Sequence, residues 1–254
     1  MPDANTLTQL RQQVHQIEGS RRITRMKCVS SGCAELDHCL PAGGFCGGTL
    51  VEWLVGGRGN GAGTLALLAA REAMAKDGGA LVVLDRSTRF YPPAAAAWGI
   101  DLDRTVIIRA GTVQDEIWAA EQALRCTSIS ALWAPFAELD WKAFRRLQLA
   151  AEQGGGVGFL LRPIKVRGEP SWADTQLLVE AVGNGNRQQS SRRFRLQLTR
   201  CRGGQEGQVM HLELDEENQV VSKGKALPLR HEANAKHLAA QLAHPKAPRR
   251  SARA

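Results

Sequence analysis

Residues 30–52 read SSGCAELDHCLPAGGFCGGTLVE. A Ser-Gly step, Ser31-Gly32, opens a short helical stretch that carries Leu36, Asp37 and Leu40. Gly43-Gly44 ends it, and small residues lead into an apolar run bearing Val51 and Glu52. That run, Thr49–Val55 (TLVEWLV), reads as a buried strand. A glycine-rich turn follows, Gly56–Gly63 (GGRGNGAG), and then Thr64–Lys76, a helix rich in Ala and Leu that Gly78 and Gly79 close. A strand, a glycine-rich turn and a helix in that order aim backbone N–H groups and a helix N-terminus at one point. That is the geometry of an anion site.

Outward from this unit, strands and helices alternate. Ala80–Asp85, Thr105–Arg109, Ile129–Trp133 and Val157–Arg162 read as further apolar strands. Thr112 with Asp115 marks a helix N-terminus leading to about Arg125, and Asp140–Gln153 is a helix stopped by Gly154-Gly155-Gly156. Apolar strands separated by helices predict an α/β fold with a mostly parallel central sheet covered by helices on both faces. Pro163–Gly185 is mixed and partly polar. Arg193–Thr199 and Val209–Leu214 then alternate in period two around a turn-rich CRGGQEGQ, which predicts a C-terminal antiparallel hairpin on the sheet edge. Residues 5–18 carry Leu7, Leu10, Val14 and Ile17 at helical spacing. The expected division is an N-terminal amphipathic helix with a polar linker (1–27), a core domain (28–225) and a basic tail (226–254).

A full phosphate loop reads G-x-x-x-x-G-K-[ST], the Lys reaching the β/γ-phosphates and the hydroxyl holding Mg²⁺. Gly56 and Gly61 have that gap, with Gly57 and Gly59 between them, but Ala62 and Gly63 follow, and Thr64 comes one place too late. Such a turn is also explained by glycine's tolerance of tight backbone.

The wider context is more specific. Gly32, Leu36, Asp37, Leu40, Gly43, Gly44, Gly48, Val51 and Glu52 match, in order, the segment before the phosphate loop of RecA-type recombinases. Asp85 and the Trp98-Gly99-Ile100-Asp101 turn continue the match. The chain therefore resembles that family over residues 28–162, and the resemblance implies a RecA-like core. It also marks four departures. Ser87 stands where the family has a catalytic Glu, and Ala134 falls near its metal-organising Asp. With the phosphate Lys and the metal hydroxyl also missing, no group remains to stabilise a phosphoryl-transfer transition state. No catalytic residue, no cofactor and no metal site is expected. Nucleotide binding without turnover is the remaining alternative.

Among RecA-like proteins the chain resembles the small, degenerate ImuA family. That resemblance implies a non-catalytic adaptor in the SOS response to DNA damage, serving error-prone translesion synthesis, mutagenesis and DNA repair. The partners it implies are an ImuB-type inactive Y-family polymerase relative, an error-prone C-family polymerase and RecA. Two other readings stand beside it. One is an SOS cell-division inhibitor that binds the tubulin-like division protein, and the other is an active RecA-family ATPase.

The net charge of +8 favours anionic partners, nucleic acid first. Arg230 to Ala254 holds six Lys/Arg against Glu232, so +5 of that charge lies in the tail. Recombinases hold single-stranded DNA with loops after the fourth and fifth strands. Here Arg162, Lys165, Arg167 and Trp172 follow the fifth strand and are candidate DNA contacts, as are Arg192, Arg193 and Arg195 in the hairpin. Each set reads equally as a solvated loop or sheet face. Nothing in the first twenty residues is apolar enough for a secretion signal, and no run of apolar residues suits a membrane span, so a cytoplasmic location is expected. The six cysteines are accordingly expected as reduced thiols, and their spacing does not fit a zinc site. Trp53 and Trp133 lie in apolar strands and are expected in the core.

Overall fold

The structure, a computed structural model, describes residues 27–57, 59–182, 192–204, 206–215, 220–222 and 227–228. The amphipathic helix expected at 5–18 and the basic tail beyond 228 lie outside the described residues.

The Ser30–Glu52 run folds as a small antiparallel clasp. β1 (Cys28–Val29) pairs with β2 (Phe45–Cys46) around α1 (Ala34–Cys39) and the 3-10 turn Pro41–Gly43. Asp37 anchors it, its two carboxylate oxygens accepting from the Ser31 N–H at 2.7 Å and the Ser30 hydroxyl at 2.6 Å. Cys28 and Cys46 are directly opposed, with Cα atoms 3.9 Å apart, and are joined as a disulfide. This corrects the expectation of six reduced thiols. The register of a two-residue ribbon sets the two side chains face to face, and residue spacing cannot show that. Cys33, Cys39, Cys126 and Cys201 are free.

Six parallel strands form the body of the sheet: β3 (Leu50–Val55), β4 (Ala80–Leu84), β5 (Thr105–Ile108), β6 (Ile129–Pro135), β7 (Val157–Pro163) and β8 (Thr175–Val182). Antiparallel β9 (Arg192–Cys201) and β10 (Gln208–Leu214) extend it past β8, and β11 (Val220–Ser222) and β12 (Leu227–Pro228) pair with β10. The order is β11-β10-β9-β8-β3-β7-β6-β4-β5. The hairpin on the sheet edge is therefore present. β8 is the strand that the mixed reading of Pro163–Gly185 passed over, because each of its faces meets a different environment. Leu177 and Val179 enter one core layer, while Gln176 and Glu180 make polar contacts on the other face.

Alternation along β3 sorts the two layers. Val51 and Trp53 pack with α1, with α2 (Ala62–Asp77) and with α3 (Pro92–Ala97). Leu50 packs on the other side with α4 (Val113–Arg125) and α5 (Trp141–Gly154). The caps of the last two helices follow the expected chemistry. The Thr112 hydroxyl accepts from the Asp115 N–H, and the Asp140 carboxylate accepts from the Lys142 and Ala143 N–H groups. Trp53 and Trp133 are both core residues. The β7–β8 crossover, Ile164–Asp174, has no α-helix and makes only a 3-10 turn at Ile164–Val166. A parallel crossover usually carries a helix. Here an extended strap covers that part of the sheet instead.

Candidate functional site

The glycine-rich turn leaves the carboxyl end of β3 and enters α2, as expected. Gly61 caps the helix in the left-handed region, at φ +85°. A Cβ there would lie 2.1 Å from Cε1 of Phe194, whose ring comes from β9 and is buried against the turn. Only glycine allows both that backbone conformation and that approach. Next to it, the Ala62 N–H donates to Asn60 Oδ1 at 3.0 Å, and Ala62 is fully buried. The Trp133 indole N–H donates to the Gly63 carbonyl at 3.1 Å, and a Cβ on Gly63 would sit 3.4 Å from that ring. Thr64 is half-buried one residue further on.

These groups do not supply the contacts that a nucleoside triphosphate and its Mg²⁺ use. The cap donor Ala62 is satisfied internally, Phe194 and Trp133 pack against Gly61 and Gly63 at the start of the helix while Gly57 and Gly59 stay exposed, and no Lys or hydroxyl stands at the two positions after Gly61. The other family positions point elsewhere as well. Ala134 is buried in the layer of α4 and α5, while its neighbour Trp133 fills the α2 side. Ser87 is exposed in the loop after β4. Asp85, at the end of β4, is buried. Its Oδ1 accepts the Arg89 and Phe90 N–H groups at 2.6 and 3.1 Å, and Arg109 Nε lies 3.6 Å from Oδ2. It shapes that loop.

The basic candidates separate into three settings. Lys165 and Arg167 are exposed on the 3-10 turn after β7, and no ion pair to either occurs among the described residues. That turn adjoins the glycine-rich one, since a Cβ on Gly56 would lie 3.7 Å from Ile164 Cδ1. Arg162 does not reach the surface. It is only 5% exposed and pairs with Glu52 at 3.2 Å, its guanidinium 5.5 Å from the Phe144 ring centroid. Contrary to expectation it is therefore not a surface DNA contact: a buried carboxylate in the middle of β3 requires a cation, and the neighbouring strand provides one. Ser171 and Gln176 also donate to Glu52, at 2.7 and 2.9 Å. Trp172 is half-buried on the strap, where it packs against the layer of α4 and α5 beneath the Arg145 guanidinium.

In the hairpin, Arg193 pairs with Glu213 at 3.3 Å and Arg195 with Glu180 at 2.5 Å, on the sheet face opposite Phe194, Leu196 and Leu198. Arg192 is exposed, with its guanidinium 5.9 Å from the Trp98 ring centroid. Phe194 and the Glu52–Arg162 pair are the important residues the sequence reading missed. The signal for the pair was Glu52 itself, a carboxylate inside an otherwise apolar strand. Phe194 gave no signal beyond lying on the apolar face of its strand.

Among the described residues no helix is long and apolar enough to cross a membrane, and no group of His, Cys, Asp or Glu side chains could hold a metal ion.

No protein-family model matches the chain. It is 29% identical over 203 residues to Protein ImuA of two strains of Caulobacter vibrioides, a match that covers 70% of this chain and 80% of that protein. It is 32% identical over 114 residues to Protein RecA of Clostridium beijerinckii, covering 45% of this chain. The chain spans about a third of the length of that RecA, 31%. The crystal structure of the RadB recombinase superposes with a TM-score of 0.58 at 16% identity, covering 77% of this chain and 99% of that one. The fold is therefore RecA-like.

Proposed function

We propose that this chain, ImuA-like over most of its length and RecA-like in fold, is a non-catalytic accessory protein of SOS-induced, error-prone translesion synthesis. It acts in the cytoplasm through an ImuB-type inactive Y-family polymerase relative. An error-prone C-family polymerase and RecA are further partners in this reading. Lys165 and Arg167, exposed beside the glycine-rich turn, are the residues best placed for a weak single-stranded DNA contact.

The observation that carries the proposal is the turn's own residues: fully buried Ala62 and then Gly63, packed against Trp133, stand at the lysine and hydroxyl positions after Gly61. Phosphoryl transfer depends on fixed charges at the γ-phosphate and its metal, and none stands here. A RecA fold without that chemistry retains its surfaces, and an adaptor works through surfaces. Co-expression with an ImuB-type protein from the same genome tests the reading. The two are expected to co-purify, and the purified chain is expected to show no DNA-stimulated ATP hydrolysis above a contaminant control. Turnover, or an ImuB-type partner that never co-purifies, overturns it.

A further inference from the structure

Where the strap replaces a crossover helix, it leaves a cleft of about 520 Å³ between itself and the first half of α5. Leu139, Trp141, Phe144 and Trp172 make its walls mostly apolar, and Arg162 lies at its base. Trp141 is 65% exposed at the helix start, a large apolar surface to leave in water. The charges are uneven. Lys142 Nζ stands 5.9 Å from the Trp141 ring centroid, and the Arg145 guanidinium 4.5 Å from that of Trp172. Neither cation has an ion-pair partner among the described residues. Arg162 keeps a buried Nε without a hydrogen-bond acceptor among them. Against these, Glu169 is the carboxylate on the rim.

From this arrangement we infer that the cleft docks a short segment of a partner protein in which one large apolar side chain is flanked by carboxylates. The apolar side chain would pack against the exposed Trp141 ring and the apolar wall beside it, an anchor of the kind that dominates interface energetics. The flanking carboxylates would meet Lys142 and Arg145, whose cationic ends lie over the Trp141 and Trp172 rings at the cleft. Nucleic acid fits less well, because the rim carries the Glu169 carboxylate, and with Arg145 over Trp172 only the Trp141 ring is left for a base to stack on. The inference rests on the adaptor reading and assigns it a surface.

The test uses the full chain and fluorescein-labelled peptides of about twelve residues, each with a central Trp, Phe or Leu. One set flanks that residue with Asp and Glu, a second with Ser, a third with Lys. Oligo-dT of similar length is the fourth probe. Anisotropy should show micromolar binding by the acidic set, at least about tenfold tighter than by the Ser set. Trp141→Ala and Arg145→Glu should each weaken it about tenfold or more, with Arg145→Glu shifting preference toward the Lys set. Trp141→Ala should melt as the parent does, since Trp141 is exposed; Arg145→Glu gives up a hydrogen bond to buried Gln148, so its binding is read well below its own melting midpoint, after circular dichroism shows the parent fold.

Several results overturn the inference: no binding by any peptide, equal binding by all sets, or indifference to both substitutions. Two more identify another occupant. Loss of oligo-dT binding in both variants assigns the cleft to nucleic acid. Peptide binding that emerges only when residues 1–26 are removed assigns it to the chain's own N-terminal segment. A Trp141→Ala variant that loses the peptides but still co-purifies with an ImuB-type protein removes the cleft and leaves the adaptor. If the parent chain fails to co-purify, the adaptor falls, and the peptide titration still reads the cleft.

Discussion

The ring of Phe194 rests on the Cα of Gly61, so a β-carbon at Gly61 would lie 2.1 Å from the ring. A contact between a hairpin strand and a turn far away in sequence thus requires glycine at the start of α2. Gly61→Ala should cost about 2–4 kcal/mol, from the left-handed backbone and from overpacking together. Urea unfolding of Gly61→Ala, Phe194→Ala and the double variant measures it. The double variant should cost clearly less than the sum of the singles, and additive costs would mean the two residues do not touch.

Restoring the missing loop residues should not restore nucleotide binding. Ala62→Lys puts an ammonium at a fully buried position, and Gly63→Thr crowds Trp133. The double substitution should lower stability by at least about 2 kcal/mol and give no saturable titration with a fluorescent ATP analogue. A tight, Mg²⁺-dependent titration would show that the turn still fits phosphate.

Glu52 and Arg162 share a buried pair. Removing one partner leaves an uncompensated buried charge, so Glu52→Leu or Arg162→Met alone should cost about 3–5 kcal/mol. The double variant should recover much of that loss. Denaturant midpoints of the three variants read the cycle.

The cysteines predict an alkaline limit. Burial pushes the Cys201 thiol from its ordinary 9.0 up to about 12, and the Cys33 thiol up to about 11. The unfolded thiols ionise above about 9 while the folded ones keep their protons. The stability they contribute is therefore complete below that pH and is lost as pH rises through the folded values. Melting temperature should fall from pH 9 to 11, and less so in Cys33→Ala/Cys201→Ala. Alkylation after unfolding without reductant should label the four free cysteines, and prior reduction should expose Cys28 and Cys46 as well.

If single-stranded DNA is bound, Lys165→Glu with Arg167→Glu should weaken it and flatten its salt dependence by about one to two in log–log slope. Arg193→Gln should change little, because that side chain already pairs with Glu213. An equal effect of both changes would place the DNA on the hairpin face.

The sequence by itself determined the α/β alternation, the glycine turn between β3 and α2, the helix caps at Thr112 and Asp140, and the alternation that gives β9 one apolar and one polar face. These are local, because periodicity, capping and turn chemistry act over a few residues. That Ala62 and Gly63, not Lys and a hydroxyl residue, follow Gly61 was equally plain. Only the tertiary structure decided the rest. It recovered β8, whose faces meet different partners. It opposed Cys28 to Cys46, and it took Arg162 from the surface to Glu52. It also set Phe194 against Gly61, the last glycine of the Gly56–Gly61 spacing that had first suggested phosphate. Each of these depends on which strands become neighbours, and that is set by packing between segments far apart in the chain.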